Sequence, residues 1–458
     1  MKLYNSLTKV VEEFVPIRDN KVNFFVCGPT VYDFAHIGNG RTAITMDVLV
    51  RTLKYLGYEV NFLVNITDID DKIIKKATSE NTDWQTVSRK YETQYKKDMS
   101  ELDIIPTQYA RATDYIDQIK TQVQRLIDKG SAYKIDGGIY FEITTFSEYG
   151  KLSGRSNIEK DDAESRIDQN DNKRGWNDFC LWKFSKENEP SWPADFGEGR
   201  PGWHIEDTAI TEHLFGPQYD IHGGGTDLIF PHHEAEITQM EAISGKVPFV
   251  KYWVHGGLLY INDQRMGKSN KNFYTINELT QKYNRNVIRL FMLQGHYRSV
   301  LNFSFELLDA CHSRYLRWLR IADLRHQIDA DVTDVSNELE SRFKHFVECL
   351  ENDLDTPSAI AEVEKIMTLI EKQGINQNSK TSFEKILGTI SQTFGVNLLY
   401  DEISHEIKDL IKQRDTAKQQ KSWKDADKIR DILKAKGIAL MDIEGRGAYW
   451  SRSSLDES

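Results

Sequence analysis

The four residues "HIGN" at positions 36–39 could bind the phosphate groups of a nucleotide. An apolar run precedes them and a stretch with helical periodicity follows, so we predict that a helix begins near this point. The free N–H groups and the dipole of a helix N-terminus attract phosphate oxygens. His36 could donate to such an oxygen, and Gly38 would leave room for a nucleotide ring. By itself, the motif is more typical of a loop in which Asn39 caps the helix.

A basic turn, "RMGKS" at positions 265–269, could act on the same phosphates. Lys268 would supply a mobile cation for a triphosphate that loses pyrophosphate. Ser269 would supply a hydroxyl donor, and Arg265 a second positive charge. By itself, this stretch is more typical of a solvated basic turn, but its combination with "HIGN" indicates nucleotide chemistry.

The glycine-rich segment "HGGGTDL" at positions 222–228 comes after another apolar run. Its glycines, among them Gly224, would let the backbone approach an adenine ring, and Asp227 could accept hydrogen bonds from ribose hydroxyls. A glycine-rich turn alone is weak evidence for nucleotide binding. Its position between a predicted strand and the segment "FPHH" strengthens the interpretation.

Asp207, in "WHIEDTAI" at positions 203–210, has three interpretations. It could be a surface charge, the cap of a helix that starts at "TAITEHL", or one ligand of a metal ion. Asp is a favoured capping residue, so the cap is a serious alternative. Further along, His232 and Glu236 stand four positions apart, which places both on one face of a helix and lets both face one ion.

The elements that would position these motifs alternate between strands and helices in the first part of the chain. "KVNFFVC" and "YEVNFLVNIT" enclose the helical stretch "AITMDVLVRTLKYLG", which predicts a βαβ unit and a parallel sheet. Ligands of such sheets bind at the carboxyl ends of the strands. "GGIYFEI" and "FCLWKF" predict strands in an inserted block, and helical periodicity dominates from about residue 303 onward.

Composition excludes several classes of protein. The 458 residues are 39% hydrophobic and 28% charged, which is typical of globular domains and not of fibrous or disordered chains. No apolar run approaches the roughly 20 residues that cross a bilayer, and the N-terminal stretch lacks a signal-peptide pattern. Four widely spaced cysteines predict no disulfide framework. We therefore expect a cytoplasmic protein.

A local basic bias lies near the C-terminus, although the whole chain has a net charge of −11. Residues 405–437 contain ten Lys/Arg and six Asp/Glu. With Trp423, Tyr449 and Trp450, this stretch suits single-stranded RNA with stacked bases. Without further information, a solvated helix with internal ion pairs is the more common explanation.

Together, the motifs resemble those of the class I aminoacyl-tRNA synthetases, which carry a "HIGH"-like motif after the first strand and a "KMSKS"-like loop near the end of the sheet domain. The segments "FVCGPTVYDFAHIGNGRT", "NITDIDDKIIKKA", "GRPGWHIE" and "DIHGGGTDLIFPHHEAEI" make the chain similar to cysteinyl-tRNA synthetases in particular. The resemblance runs to about residue 310 and returns in "KSWKDADKIRDILKAKGI". It implies an α/β fold with a Rossmann-like parallel-sheet catalytic domain, an insertion, an α-helical bundle and a small anticodon-binding domain.

The resemblance also predicts the boundaries of these parts. We expect residues 1–95 to form the first half of the catalytic domain, 96–200 a connective insertion, 201–262 the second half of the catalytic domain, 263–310 the signature loop and stem-contact region, 311–400 the helical bundle, and 401–458 the anticodon-binding domain.

A zinc site is implied by the same family pattern, with the ligands Cys27, Asp207, His232 and Glu236. The family carries a second cysteine where this chain has Asp207, so we interpret Asp207 as a carboxylate that replaces a thiolate. Carboxylate oxygens do bind zinc. An open position on zinc would favour the thiol of cysteine over the hydroxyl of serine, which makes editing unnecessary.

The resemblance implies a role for several further residues. Thr67 and Trp203 would enclose the amino acid, and the additional pocket histidines would be His204, His233 and His255. His36, Lys268 and Ser269 would be catalytic, and ATP would contact Gly38, Asn39, Gly224, Asp227 and Lys268.

The implied reaction joins L-cysteine to the 3′ end of cysteine tRNA, with ATP accompanied by magnesium, in a monomer. Two rivals are a paralogue that ligates cysteine to a small-molecule amine and an inactive RNA-binding relative. Two stretches, "RMGKS" and "NKNF", depart from the family's usual loop.

Overall fold

The computed structural model describes residues 1–155, 172–266, 272–443 and 447–452. Its strands in chain order are β1 (Lys2–Asn5), β2 (Val10–Glu13), β3 (Lys21–Val26), β4 (Glu59–Ile66), β5 (Gln108–Arg111), β6 (Ala132–Ile135), β7 (Gly138–Phe141), β8 (Phe179–Phe184), β9 (Gly199–Pro201), β10 (Tyr219–Gly225), β11 (Val250–Gly256), β12 (Leu259–Ile261), β13 (Gln264–Arg265), β14 (Leu301–Phe303), β15 (Ile438–Ile443) and β16 (Gly447–Arg452).

The described α-helices are α1 (Ile37–Tyr55), α2 (Asp71–Glu80), α3 (Trp84–Glu101), α4 (Ile116–Asp128), α5 (Ile205–Phe215), α6 (Glu234–Ser244), α7 (Ile276–Thr280), α8 (Arg285–Leu293), α9 (Phe305–Ala322), α10 (Ser336–Glu351), α11 (Thr356–Gln373), α12 (Gln377–Phe394), α13 (His405–Gln419) and α14 (Trp423–Ala435).

A five-stranded sheet with the order β11–β10–β3–β4–β5 forms the centre of the first compact unit. All of its neighbouring strands are parallel, as the βαβ pattern predicts. Phe24 and Phe25 on β3 are fully buried, because helices cover both faces of such a sheet. The near-continuous apolar runs of β3 and β4 are the sequence signature of this burial.

The strand order of the sheet reverses between the parallel neighbours β3 and β10. From β3 the chain passes through α1 to β4 on one side, whereas from β10 it passes through α6 to β11 on the other. The two connections therefore diverge at the carboxyl ends of these adjacent strands. Open α/β sheets bind their ligands at such a switch point.

A second, antiparallel sheet lies in the predicted insertion. Its strands have the order β6–β7–β8–β9, and β7 and β8 coincide with "GGIYFEI" and "FCLWKF". Residues 156–171, which join β7 to β8 in the sequence, lie outside the described residues. The strand predictions for this block are therefore confirmed, and its outer boundaries stay a prediction.

A second compact unit comprises residues 261–264, 279–296 and 302–458. Helices α9 to α14 dominate it, as the helical period predicts, and a hairpin of β15 and β16 follows them. No α-helix in the described part of the chain is sufficiently long and apolar to span a membrane.

Candidate metal centre and active site

Four side chains meet at the carboxyl end of β3. Cys27 directly follows β3, Asp207 is the third residue of α5, His232 lies in the helical turn Ile229–His233, and Glu236 lies in the first turn of α6. One ligand atom from each of these four residues lies within 4.8 Å of the others. The structure thus brings together the four residues that the sequence predicts as zinc ligands.

The distances within this cluster are short enough for a shared ligand. Cys27 Sγ lies 3.2 Å from Asp207 Oδ2 and 3.9 Å from Glu236 Oε1. His232 Nε2 lies 3.0 Å from both Asp207 Oδ2 and Glu236 Oε1. The two carboxylates therefore converge on the same imidazole nitrogen and the same sulfur.

Burial makes this arrangement electrostatically costly without a cation. Burial raises the pKa of the Cys27 thiol well above its ordinary value, and the charges of Asp207 and Glu236 raise it further. Burial and the charge of Asp207 also raise the pKa of Glu236. Glu236 Oε2 has no hydrogen-bond partner although it is fully buried. A divalent cation would relieve both the repulsion and the unsatisfied oxygen, so the residues fit a metal ion.

The alternative interpretation of Asp207 as a helix cap is wrong. Helix α5 begins at Ile205 and not at Thr208, and its cap residue, His204, makes no side-chain capping hydrogen bond. Asp207 thus lies inside the first turn. Its carboxylate accepts a hydrogen bond from the side-chain amide of Asn65 and another from the Cys27 thiol, and neither donor belongs to α5.

Two further histidines point at the same sulfur. His222 Nε2 lies 3.4 Å and His233 Nε2 3.2 Å from Cys27 Sγ. Burial lowers the pKa of both imidazoles well below the ordinary value, which keeps a nitrogen lone pair available. Together with Cys27 and Glu236 they form a second group of four donor atoms within 4.8 Å of one another.

Other predicted pocket residues surround the cluster. The indole of Trp203 stacks on the His232 ring with centroids 4.3 Å apart, and His204 Nδ1 lies 2.8 Å from His232 Nδ1. The Thr67 hydroxyl, directly after β4, donates to the buried carboxylate of Glu206. His255 Nε2 lies 2.8 Å from His233 Nδ1, so it supports the second group from outside.

Helix α1 starts where the "HIGN" motif predicts. His36 is its N-cap residue, and Nδ1 of His36 accepts a hydrogen bond from the backbone N–H of Asn39. Asn39 Oδ1 accepts from the backbone N–H of His36 in return. A neutral imidazole that accepts at Nδ1 carries its hydrogen on Nε2, so Nε2 is the donor atom of His36. Capping and phosphate binding are thus compatible roles of the same motif.

Close packing explains two predicted glycines. A Cβ at Gly38 would lie 2.9 Å from Nδ1 of His36, and a Cβ at Gly224 would lie 2.7 Å from Cε1 of His233. Gly224 is the next-to-last residue of β10, and Asp227 is exposed in the turn that follows. The loop therefore lies at the edge of the sheet where an adenosine is expected, and the two glycines also make room for histidine rings.

Two predicted catalytic residues, Lys268 and Ser269, lie outside the described residues. Arg265, which precedes them, is exposed at the end of the short strand β13. Their roles remain predictions from the sequence.

Sequence reasoning assigned no metal or pocket role to Asn65, Glu206, Tyr219 or His222. Asn65 lies on β4 and His222 on β10, the two strands that flank β3 in the central sheet. The one available signal was the density of polar residues at the ends of apolar runs, as in "VNITD" and "DIHGGG". Polar side chains at the carboxyl ends of buried parallel strands are typical of ligand sites.

The basic C-terminal stretch forms α13 and α14. Trp423, the first residue of α14, is 59% exposed, which suits base stacking. Trp450 is buried, and its backbone exchanges two hydrogen bonds with the side-chain amide of Gln327. The expectation that Trp450 stacks on a base is therefore wrong, since Trp450 belongs to the core of its own unit.

Two family models match the chain. The tRNA synthetases class I (C) catalytic domain matches residues 13–313, and the cysteinyl-tRNA ligase anticodon binding domain matches residues 401–450. A cysteine–tRNA ligase of Lachnospira eligens is 40% identical over 475 residues, covering 99% of this chain and 100% of the relative. A cysteine–tRNA ligase of Thermoplasma volcanium is 42% identical over 461 residues, covering 98% of this chain and 100% of the relative.

Solved structures with low sequence identity share the fold. The Mycobacterium tuberculosis methionyl-tRNA synthetase in complex with methionyl-adenylate aligns with a TM-score of 0.58 and 13% identity, over 81% of this chain and 89% of that one. The ternary complex of an Agrobacterium radiobacter LeuRS aligns with a TM-score of 0.64 and 10% identity, over 84% and 85%. These likenesses confirm the predicted class I architecture.

Proposed function

The chain belongs to the cysteine–tRNA ligase family of class I synthetases, and from that premise we propose that it activates L-cysteine with ATP and transfers the cysteinyl group to the 3′ end of cysteine tRNA. The observation that carries the proposal is the buried donor cluster at the switch point of the sheet. Such a cluster lets a protein recognise a small thiol by coordination. The match of residues 401–450 to an anticodon-binding domain supports tRNA, and not a small amine, as the acceptor.

We propose that Cys27, Asp207, His232 and Glu236 hold a zinc ion. Bound zinc would supply an open position that prefers sulfur to a hydroxyl oxygen. Asn65 orients the Asp207 carboxylate, and the Trp203 indole holds the plane of the His232 ring. Thr67 and Trp203, which lie beside the cluster, would enclose the remainder of the amino acid.

In the activation step, the carboxylate of cysteine attacks the α-phosphate of ATP and displaces pyrophosphate. The substrate is its own nucleophile, so the protein contributes positioning and charge stabilisation. We assign His36 Nε2 and the N–H groups at the start of α1 to the phosphates. Gly224 and Asp227 would hold the adenosine. Lys268 and Ser269, together with magnesium on ATP, would neutralise the departing pyrophosphate.

Substrate selectivity tests the proposed function most directly. ATP–pyrophosphate exchange should depend on cysteine, and the ratio of kcat/KM for cysteine over serine should exceed the roughly 200-fold that an apolar pocket achieves for so small a difference. A smaller ratio would contradict recognition through a metal. Charging assays with tRNA and with small amines then identify the acceptor. If ATP–pyrophosphate exchange is absent, the inactive RNA-binding relative is the one interpretation that remains.

Asp207 offers a sharper test of the ligand set. Asp207→Asn should weaken zinc binding and raise the cysteine concentration that is required, because an amide is a poorer ligand than a carboxylate. Asp207→Cys should retain or tighten zinc binding, because it restores a thiolate. Zinc affinity by chelator competition and KM for cysteine measure both effects. Unchanged values for the Asn variant would remove Asp207 from the ligand set.

A further inference from the structure

The second group of donors shares Cys27 with the first group but does not include Asp207 or His232. It consists of Cys27, His222, His233 and Glu236, and its four ligand atoms lie as close together as those of the first group. Cys27 and Glu236 belong to both groups. The choice between the groups is therefore a choice between the pair Asp207 and His232 and the pair His222 and His233.

Both extra imidazoles are oriented as metal ligands are. His222 Nδ1 lies 2.7 Å from the Tyr219 hydroxyl, and His233 Nδ1 lies 2.8 Å from His255 Nε2. In each ring the other nitrogen, Nε2, is directed at Cys27 Sγ. An outer partner on one nitrogen fixes the ring and leaves the second nitrogen for the metal, which is the usual arrangement around histidine ligands.

The two oxygens of Glu236 divide between the groups. Oε1 lies 3.0 Å from His232 Nε2 in the first group. Oε2 lies beside the ring of His222, 3.4 Å from Nδ1, the nitrogen that also faces Tyr219, and it has no hydrogen-bond partner although the residue is fully buried. A buried carboxylate oxygen without a partner is costly, and an ion on the side of His222 would satisfy it.

Ligand chemistry makes the second group a complete alternative set in this chain. The first group offers one sulfur, one nitrogen and two carboxylates, because Asp207 stands where the family has a thiolate. The second group offers one sulfur, two nitrogens and one carboxylate. Zinc is a borderline-soft ion that accepts both imidazole and carboxylate ligands, so the second set can also hold it.

We propose that Cys27, His222, His233 and Glu236 form a second metal position that overlaps the first and holds the ion when Asp207 is not a ligand. Because the positions share two ligands, the chain binds one ion at a time and the stoichiometry is one. The proposal rests on the proposed function only for the identity of the ion as zinc. It predicts that the metal stays bound when either pair is lost and that it dissociates when both pairs are lost.

A double-mutant cycle on the full chain tests this, with zinc affinity measured by chelator competition. Asp207→Asn alone should raise the Kd for zinc roughly tenfold, and His222→Gln alone less than about threefold, because one group remains in each variant. The double variant should raise it at least about a thousandfold, far above the product of the single effects. The variant Asp207→Asn with His213→Gln is the matched control. His213 is an exposed histidine of α5 outside both groups, so this control should bind zinc like Asp207→Asn alone.

Cobalt provides a spectroscopic readout that does not depend on activity. Asp207→Asn should keep one equivalent of Co²⁺ with a shifted visible spectrum, because two imidazoles then replace one imidazole and one carboxylate.

His233→Gln in the Asp207→Asn background repeats the test through a different residue if the His222 variant does not fold. Single effects that simply multiply in the double variants would overturn the proposal. So would complete metal loss in Asp207→Asn alone. Exchange activity of the unmodified chain tests the proposed function separately.

Discussion

The candidate metal centre and the basic C-terminal helices handle charge in opposite ways. At the metal centre, Asp207 and Glu236 are withdrawn from solvent beside a thiol, and their partners are few and fixed. In α13 and α14, the charged side chains are mostly exposed, and one of them, Arg414, is buried. Where water is excluded, a few residues carry the proposed function. Where water remains, many residues share it. Mutations should therefore have large effects in the first region and small ones in the second.

The largest effect is expected at Cys27, which both donor groups share. Cys27→Ala should reduce zinc affinity and cysteine-dependent exchange at least about a thousandfold, because no complete group remains. Zinc content of the purified variant and pyrophosphate exchange measure the two losses. Cys349→Ala, a cysteine of the other compact unit, is the control and should keep its zinc. Full zinc occupancy in the Cys27 variant would show that Cys27 is not a required ligand of the ion.

The next largest effect is expected at Lys268. Lys268→Ala should lower the rate of exchange by about 10² to 10³, since a single donor to the developing charge is typically worth that much. Cysteine affinity and zinc content should change little, which separates this variant from those of the metal centre. A near-normal exchange rate would exclude the proposed role of Lys268 in pyrophosphate release.

The smallest effect is expected in the basic helices, at Trp423. Trp423→Ala should raise the KM for tRNA roughly tenfold and leave pyrophosphate exchange unchanged, because loss of one stacked base costs about 1–3 kcal/mol. The affinity for tRNA should also fall as the salt concentration rises, because exposed charges are screened. A Trp423 variant that charges tRNA like the unmodified chain would show that no base stacks there.

The sequence predicted β3, β4, β7 and β8, the start of α1 and the four residues of the first donor group, because each depends on local periodicity or on matched motifs. It did not predict the second group. His222 and Phe25 pair directly across β10 and β3, which puts His222 beside Cys27. Parallel strands are joined by long crossovers, so no tight turn sets their register and the proximity cannot be read from spacing.

Two further predictions from the sequence were wrong because they concern features that local patterns do not determine. The cap hypothesis for Asp207 assumed that α5 begins at Thr208, and a shift of three residues in a helix boundary is enough to turn a cap into an interior position. The aromatic residues named with the basic stretch predict that Trp450 stacks on a base, whereas the structure buries it. Its actual partner, Gln327, is 123 positions away in the sequence, and tertiary packing of that range leaves no local signal.

The candidate metal ligands lie far apart in the sequence, and this separation affects how the protein is synthesised. Cys27 and Asp207 are 180 positions apart, so on a ribosome Cys27 emerges long before α5 and α6 exist. At roughly 5–20 residues per second, the thiol spends on the order of 10 seconds or more without its native partners. During that interval it is open to oxidation or to wrong metals. Reducing conditions during translation should therefore protect the Cys27 thiol until α5 and α6 have formed.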